Sequence, residues 1–168
     1  WTQNGEIFGS IYRSFFGRQV SLNKDGTVMA VANTDTVIVY DFTDGEWVQR
    51  GATLYAGGTS GGVSLNDDGT MVALGGYRNW VSPIPGHVRV YEWFTYSSTW
   101  EQIGDDIEGE ADNDYFGWSV SLVGETSQSS KEPVVAIGAI GNDDGGDQAG
   151  HVQVYVFDKT VDEWVQAG

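Results

Sequence analysis

The feature that most constrains the fold is an internal repeat that runs through the whole chain. A Trp is followed two residues later by Gln and four residues later by Gly, and this motif occurs at 1–5, 47–51, 100–104 and 164–168. A motif that recurs at intervals of several tens of residues is typical of repeat architectures. The chain is therefore expected to consist of similar structural units.

Two further motifs keep the same order within each unit. Val-Ser-Leu occurs at 20–22, 63–65 and 120–122, and an apolar stretch ending in Val-Tyr follows at 37–40, 87–91 and 151–155. Between them, the first two units carry an Asp-Gly pair, which suits a tight hairpin turn because Gly accepts a positive φ. This order of motifs predicts short antiparallel strands joined by turns.

Each unit is predicted to contain four strands, because its apolar stretches are short and rich in β-branched and aromatic residues. The predicted strands are 17–23, 28–33, 36–42 and 47–54, then 62–66, 71–76, 87–94 and 100–107, then 116–123, 134–140, 151–158 and 164–168. No stretch has the periodicity of a helix. The prediction is an all-β fold in which four-stranded antiparallel units form the blades of a β-propeller.

The phase of the repeat predicts the domain organisation. Residues 1–7 match the last strand of a preceding blade, and blades 1, 2 and 3 cover 8–54, 55–107 and 108–168. Closed propellers usually contain 4–8 blades. Three blades plus one orphan strand are therefore expected to be a segment of a longer propeller, or one of several chains that complete a ring.

The third strand of the last unit alternates clearly. Val152, Val154 and Val156 fall on one face, whereas Gln153, Tyr155 and Phe157 fall on the other. Both faces carry apolar bulk, so the sheet is predicted to be covered on both sides. The Trp residues that open the fourth strands, at 47, 100 and 164, are predicted to pack between blades. The His residues that follow Gly at the start of two third strands, at 87 and 151, are predicted to form structural hydrogen bonds. Trp118 is predicted to lie in the core.

Charge and composition exclude several classes of protein. The chain has 24 acidic and 8 basic residues, and 15 of the acidic residues lie in 100–168. A net charge of -16 repels phosphate backbones and anionic lipids, so nucleic acid and acidic membranes are not expected partners. No apolar stretch is long enough for a transmembrane helix. The absence of Cys excludes disulfides and a Cys nucleophile.

The third unit resembles the FG-GAP type of repeat, which is related to the blades of integrin α-chain propellers. The matching stretches are 104–109, 114–122 with its Phe-Gly pair, 135–139 and 150–155. Blade 1 has Ser14 in place of the Asp before the aromatic pair, and blade 2 has Ser60-Gly61-Gly62 without the Phe. The resemblance implies a propeller used outside the cell for adhesion, ligand binding or structural assembly, often with calcium.

Two acidic loops of blade 3 are the candidate metal site. Calcium prefers six to eight oxygen ligands on a flexible loop. The predicted ligands are Asp112, Asp114, Asp143, Asp144 and Asp147. Two glycines within the second loop would allow it to bend around an ion. The spacing is not that of an EF-hand, and the alternative interpretation is a pair of solvated acidic loops.

The loop after the second strand of blade 2 is the candidate contact site. Tyr77, Arg78 and Trp80 are expected to be exposed there. Such residues dominate binding hot spots, so they would contact a sugar ring or a protein partner. The alternative is that Trp80 covers a neighbouring blade and two prolines stiffen the loop.

The sequence contains no nucleophile elbow, phosphate-binding loop or His-Glu-x-x-His motif. We therefore expect a non-catalytic extracellular or cell-surface module that acts as a scaffold and binds protein partners or other parts of the same assembly. The alternative is a calcium-dependent or carbohydrate-binding propeller module. Calcium is the one cofactor that the sequence suggests, and a glycan is the alternative partner.

Overall fold

A computed structural model describes residues 5–9, 14–78, 84–125 and 131–168, and the regular structure within these ranges is entirely β-strand. Blade 1 contains β1 (Gln19–Leu22), β2 (Val28–Ala32), β3 (Thr36–Thr43), β4 (Glu46–Gln49) and β5 (Leu54–Tyr55). Blade 2 contains β6 (Thr59–Leu65), β7 (Met71–Arg78), β8 (His87–Phe94), β9 (Thr99–Gln102) and β10 (Ile107–Glu108). Blade 3 contains β11 (Phe116–Val123), β12 (Val134–Ala139), β13 (His151–Asp158) and β14 (Glu163–Gln166).

Each blade is an antiparallel sheet whose four main strands are paired in chain order, with β5 and β10 as short additions. The predicted all-β propeller segment of three four-stranded blades is therefore confirmed. Residues 1–4 of the predicted orphan strand lie outside the described residues, and residues 5–9 form no strand. The exact blade boundaries stay predictions, although β5 lies across the boundary placed between 54 and 55.

The predicted fourth strands at 47–54 and 100–107 are wrong in one respect, because each is interrupted. In blade 1, β4 and β5 both pair with β3. Between the two pairings, four residues separate Gln49 from Leu54, whereas only two residues of β3 separate Val37 from Tyr40. Blade 2 repeats this bulge between β9 and β10. Gly51 (φ 70°) and Gly104 (φ 64°) lie in the bulges and supply the positive φ that such a backbone requires.

The apolar core lies between the blades. Because side chains alternate along a strand, β7 directs Val72 and Leu74 to the cluster shared with blade 1. It directs Met71 and Ala73 to the cluster shared with blade 3. Blade 2 is therefore covered on both of its faces, as the sequence predicted for such sheets.

Blade 3 is covered on one face only. Phe157 is 1% exposed and Gln153 is 4% exposed, whereas Val152 is 68% exposed. Within the described residues, no neighbouring sheet lies against the face that carries Val152, so coverage of that face of blade 3 stays a prediction. In the part of the chain that the structure describes, no helix is long and apolar enough to cross a bilayer.

Candidate functional site

The repeated Trp residues connect each blade to the preceding one. The Trp100 indole N–H donates to the carbonyl of Arg50, and that of Trp164 donates to the carbonyl of Ile103, both at 3.0 Å. Each accepting carbonyl precedes the Gly of a bulge. The bulge thus presents an acceptor to the next blade, which confirms the packing role predicted for these two Trp side chains.

The Val-Ser-Leu motifs supply a second bond between blades. Ser21 Oγ accepts the N–H of Leu65 at 3.0 Å, and Ser64 Oγ accepts the N–H of Leu122 at 2.9 Å. Both Leu amides lie on the innermost strand of their blade, which is an edge strand. The Ser hydroxyl therefore satisfies a backbone donor that the ladder of its own sheet leaves unused.

A cluster of His87, Arg89 and Asp106 fixes the segment that joins blades 1 and 2. Arg89 donates to both oxygens of Asp106 at 2.8–3.0 Å and to the carbonyl of Tyr55 at 3.2 Å. The pKa of Asp106 is lowered, mainly because it accepts hydrogen bonds from Arg89. His87 Nε2 lies 2.6 Å from the carbonyl of Ala56, and burial, followed by the charge of Arg89, lowers the pKa of this imidazole. His87 thus has the structural role that the sequence predicted.

The five predicted calcium ligands of blade 3 do not form one cluster, although Asp114 and Asp144 both lie near Asn142. Asp114 is buried and accepts the side-chain amide of Asn142 at 2.9 Å. That amide also lies 3.5 Å from Asp144, so an NH₂ group occupies the position between the two carboxylates. Asp143 accepts a backbone N–H from the same loop, whereas Asp112 and Asp147 are exposed.

A different group in blade 3 has the spacing of metal ligands. One ligand atom each from Glu110, Asp144 and His151 lies within 4.8 Å of the other two. Imidazole with carboxylates is a ligand set for zinc and similar ions, whereas calcium takes oxygen ligands only. Of the five predicted ligands, only Asp144 belongs to this group. Sequence reasoning missed the other two, although Glu110 opens the first acidic loop and His151 begins β13.

The predicted contact residues of blade 2 have different locations. Trp80 lies outside the described residues, as does the side chain of Arg78, whose backbone is in β7. Tyr77 is only 7% exposed, so the expectation that it faces solvent is wrong. Its ring packs edge-on against Trp118 at 4.7 Å, and its hydroxyl accepts a hydrogen bond from Arg18 at 2.6 Å.

Trp118 is the exposed aromatic residue of this cluster, although the sequence placed it in the core. It is 42% exposed and lies beside Tyr77 and, through it, Tyr115. The Arg18 guanidinium lies 5.8 Å from the centre of the Tyr77 ring. The cluster joins residues of all three blades and leaves the Trp118 side chain partly exposed.

A pocket of about 220 Å³ lies between the outer strands of blades 2 and 3. Its walls combine carboxylates with two aromatic rings; the lining residues are Asp105, Asp106, Ile107, Glu108, Tyr155, Glu163 and Trp164. Burial raises the pKa of the Tyr155 hydroxyl, and the neighbouring charge of Glu110 raises it further. The pocket therefore offers ring faces and hydrogen-bond acceptors to a small polar ligand.

Residues 108–157 match the FG-GAP repeat family. The match covers blade 3 up to Phe157, the penultimate residue of β13, and confirms the resemblance found in the sequence. No curated protein sequence matches the chain significantly.

Several solved structures share the fold. A proposed 6-phosphogluconolactonase from Bacteroides fragilis has a TM-score of 0.61 at 16% identity and is matched over 95% of this chain and 39% of its own. A second such protein, from Bacteroides uniformis, has a TM-score of 0.60 at 13% identity over 96% and 42%. Saccharomyces cerevisiae Sqt1 has a TM-score of 0.59 at 10% identity over 92% and 35%. The chain thus spans about two fifths of the length of the structures it resembles, and the likeness concerns the fold alone.

Proposed function

We propose that the chain is a non-catalytic segment of an extracellular β-propeller that acts as a scaffold or protein-interaction module within a larger protein. The FG-GAP repeat at 108–157 supports the interaction role and the location outside the cell. The acidic surface suits a protein that stays soluble and avoids phosphate backbones.

The observation that carries this proposal is the use made of the repeated polar and aromatic side chains. Trp100 and Trp164 bind bulge carbonyls, Ser21 and Ser64 bind amides of the next blade, and His87 lies against a backbone carbonyl. Groups committed to such bonds hold the blades in fixed positions. Rigid blades that present loops are what a scaffold or a binding module requires.

We place partner contact at the surface formed by Arg18 and Trp118, which lies beside the buried Tyr77. Trp and Arg are the residues that most often dominate protein interfaces, and Trp118 presents its exposed face beside a buried, hydrogen-bonded Tyr. A protein partner, or another part of the same assembly, would cover this indole.

The fold is shared with proposed lactonases, so the first experiment measures hydrolysis of 6-phosphogluconolactone by proton release. We expect the rate with the chain to equal the rate in buffer alone. Faster hydrolysis in the presence of the chain would contradict the non-catalytic proposal if it persists after repurification and is abolished by a substitution within a blade.

Metal-dependent binding is a second candidate function, favoured by the proximity of Glu110, Asp144 and His151. The measurement is the change in Tm with CaCl2 and, separately, ZnCl2 at roughly 1 mM, the weak end of extracellular calcium modules. A rise that Asp144→Asn abolishes would support it. Asp162→Asn, in an exposed turn of the same blade, is the matched control. No shift with either ion would contradict it.

Carbohydrate binding is the other alternative to the scaffold function, and the pocket lined by Tyr155 and Trp164 favours it. Ligand pockets usually combine aromatic walls with a few polar groups that orient the ligand. A glycan array with the native chain tests it. Glu163→Gln should weaken any binding, whereas Glu46→Gln, at the equivalent position of blade 1, should not. An array without hits would contradict this alternative.

A further inference from the structure

The segments that lead into blade 2 and into blade 3 differ in one side chain. In the segment that leads into blade 2, the N–H of Ala56 donates to the carbonyl that precedes β3. In the segment that leads into blade 3, the N–H of Gly109 donates to the carbonyl that precedes β8. Gly109 is therefore the counterpart of Ala56, and Glu110 is the counterpart of Gly57. A carboxylate thus stands in blade 3 where blade 2 has no side chain.

The third strands supply the residues that surround this position. β8 begins at His87 and β13 begins at His151, and both strands pair with the second strand of their blade in the same register. Gln153 of blade 3 therefore corresponds to Arg89 of blade 2. A Cβ on Gly57 would lie 2.6 Å from His87 Nε2 and 2.9 Å from Arg89 Nη1. The carboxylate at this position of blade 3 is accordingly directed toward the His and the Gln of β13.

The charge at this position is reversed between the two blades. In blade 2, His87 Nε2 lies 2.6 Å from a backbone carbonyl, and the Arg89 guanidinium binds both oxygens of Asp106. In blade 3, the neutral amide of Gln153 replaces the guanidinium and donates to Glu110 Oε1 at 2.9 Å. The exchange removes a cation and adds a carboxylate, which favours a bound cation at this position.

The loop between β12 and β13 brings a second carboxylate, that of Asp144, to the same position. One ligand atom each from Glu110, Asp144 and His151 lies within 4.8 Å of the other two. Ligand atoms around a tetrahedral zinc ion lie about 3.3 Å apart, because each lies about 2.0 Å from the metal. The two carboxylates are exposed and the imidazole is half-buried, so small side-chain rotations bring the three groups to that spacing.

Two buried amides hold the two carboxylates in place. Gln153 is 4% exposed, and its Oε1 accepts the hydroxyl of Tyr155 at 3.3 Å, which leaves Nε2 to donate to Glu110. Asn142 is also 4% exposed, and its Oδ1 accepts the backbone N–H of Asp144 at 3.2 Å. Ligands that are oriented by hydrogen bonds from such partners are characteristic of metal sites. A pair of solvated acidic loops does not require them.

From these observations we infer that Glu110, Asp144 and His151 bind a zinc ion, with Gln153 and Asn142 as positioning residues. Imidazole with carboxylates suits zinc and similar transition-metal ions, whereas calcium takes oxygen ligands. Three protein ligands leave one position of the ion to water or to a group of a partner. This inference rests on the metal-dependent candidate function and deepens it by naming the ion and its ligands.

The experiment uses the two His residues of the chain as probe and internal control. ZnCl2 is added at neutral pH to the 168-residue chain after treatment with a chelator, and NMR follows both imidazoles. His87→Gln assigns the two sets of resonances. The His151 resonances should shift until one zinc ion per chain is bound. Those of His87 should not shift, because its Nε2 faces the carbonyl of Ala56.

Calorimetric titration of variants with ZnCl2 tests the ligands and the positioning residue. Gln153→Leu removes the amide that orients Glu110 and should weaken zinc binding roughly tenfold or more, the usual effect of losing such a partner. Asp144→Asn removes a ligand and should weaken binding further. Asp147→Asn is the matched control, because it removes the same charge from the same loop outside the group of three. It should leave the affinity for zinc unchanged.

Three results would overturn the inference: zinc leaves the His151 resonances unchanged, both imidazoles respond alike, or Asp144→Asn and Asp147→Asn weaken binding equally. A rise in Tm with CaCl2 and none with ZnCl2 would reject the zinc site but retain the metal-dependent function. Absence of binding by either ion would reject both. The scaffold function requires no metal, so its failure and the failure of the zinc site are separate outcomes.

Discussion

The interface between blades 1 and 2 and the interface between blades 2 and 3 use the same hydrogen-bonded framework but fill it differently. Each has one hydrogen bond from a Leu backbone N–H to a Ser hydroxyl and one from an indole N–H to a backbone carbonyl. At the first interface, Arg50 binds Asp41 and the carbonyl of Gly69, and its guanidinium lies 5.6 Å from the centre of the Trp93 ring.

At the second interface, the backbones of blades 2 and 3 are in close contact, whereas the first interface holds the Arg50 side chain. A Cβ on Gly61 would lie 2.0 Å from the carbonyl oxygen of Gly117, and one on Gly75 would lie 1.9 Å from the same atom. Phe116 fills the adjoining space and is 2% exposed. The comparison shows that the repeated hydrogen bonds set the arrangement of the blades. The groups packed around these bonds decide which substitutions each interface tolerates.

The largest expected effect comes from Phe116→Ala, which empties the centre of the second interface. We expect the free energy of unfolding to fall by about 4 kcal/mol, the usual cost of removing a buried Phe side chain. Urea denaturation measures it. Phe16→Ala at the equivalent position of blade 1, where the side chain is only half-buried, should cost clearly less. Equal costs would contradict the difference between the inner interface and the outer face.

Gly75→Ala tests the close contact of the backbones. The added methyl group meets the carbonyl of Gly117, which cannot move without shifting β11, so we expect a loss of about 3 kcal/mol in urea denaturation. In Gly145→Ala, the control, the nearest atom lies at 3.4 Å, and the change should stay within about 0.5 kcal/mol. If the two variants unfold at the same urea concentration, the proposed contact does not limit the packing.

The shared framework is tested by Trp100→Phe and Trp164→Phe. Each variant keeps a ring but loses the indole N–H, so each should cost about 1 kcal/mol, the net value of one hydrogen bond. Similar losses are expected because the bonds are the same at both interfaces, in length and in acceptor. A loss at one interface and none at the other would mean that the framework is not common to both.

The smallest effect is a dependence of stability on pH through His87. Its folded pKa is lowered, so the buried neutral imidazole contributes stability that is present above the unfolded pKa of about 6.5. This stability is lost as the pH falls through the folded pKa. Urea denaturation at pH 7.5 and pH 5 should show the decrease, and His87→Gln should reduce it. An unchanged decrease in the variant would assign the effect to other groups.

Much of the fold could be predicted from the repeat because alternation and Asp-Gly turns define strands locally. The bounds predicted for β8, β11 and β13 agree with the structure. The interruption of the fourth strands was missed, since nothing in a short apolar stretch reveals that a glycine will adopt a positive φ against the next blade. Alternation also gives two faces to every strand but does not reveal which of them a neighbour covers, as the exposed Val152 illustrates.

The candidate sites were harder to predict because they depend on competition between side chains from different loops. The sequence places Asp114 in an acidic loop, but Asn142 supplies the amide that satisfies it. Tyr77 was expected to be exposed and Trp118 to be buried, but the structure shows the reverse. The reason is that β7 turns the Tyr77 ring toward blade 3, where it packs against the partly exposed indole of Trp118. A pattern within one strand contains no information about such partners.

The most direct test of the central claim is amide hydrogen exchange at three equivalent positions, measured by NMR. Inside the chain, the amides of Leu65 and Leu122 donate to Ser hydroxyls of the preceding blade. The account predicts strong protection of these two amides and fast exchange of the Leu22 amide, which lies on the outer face. Equal exchange rates at the three positions would contradict the claim that one repeated interface holds the blades together.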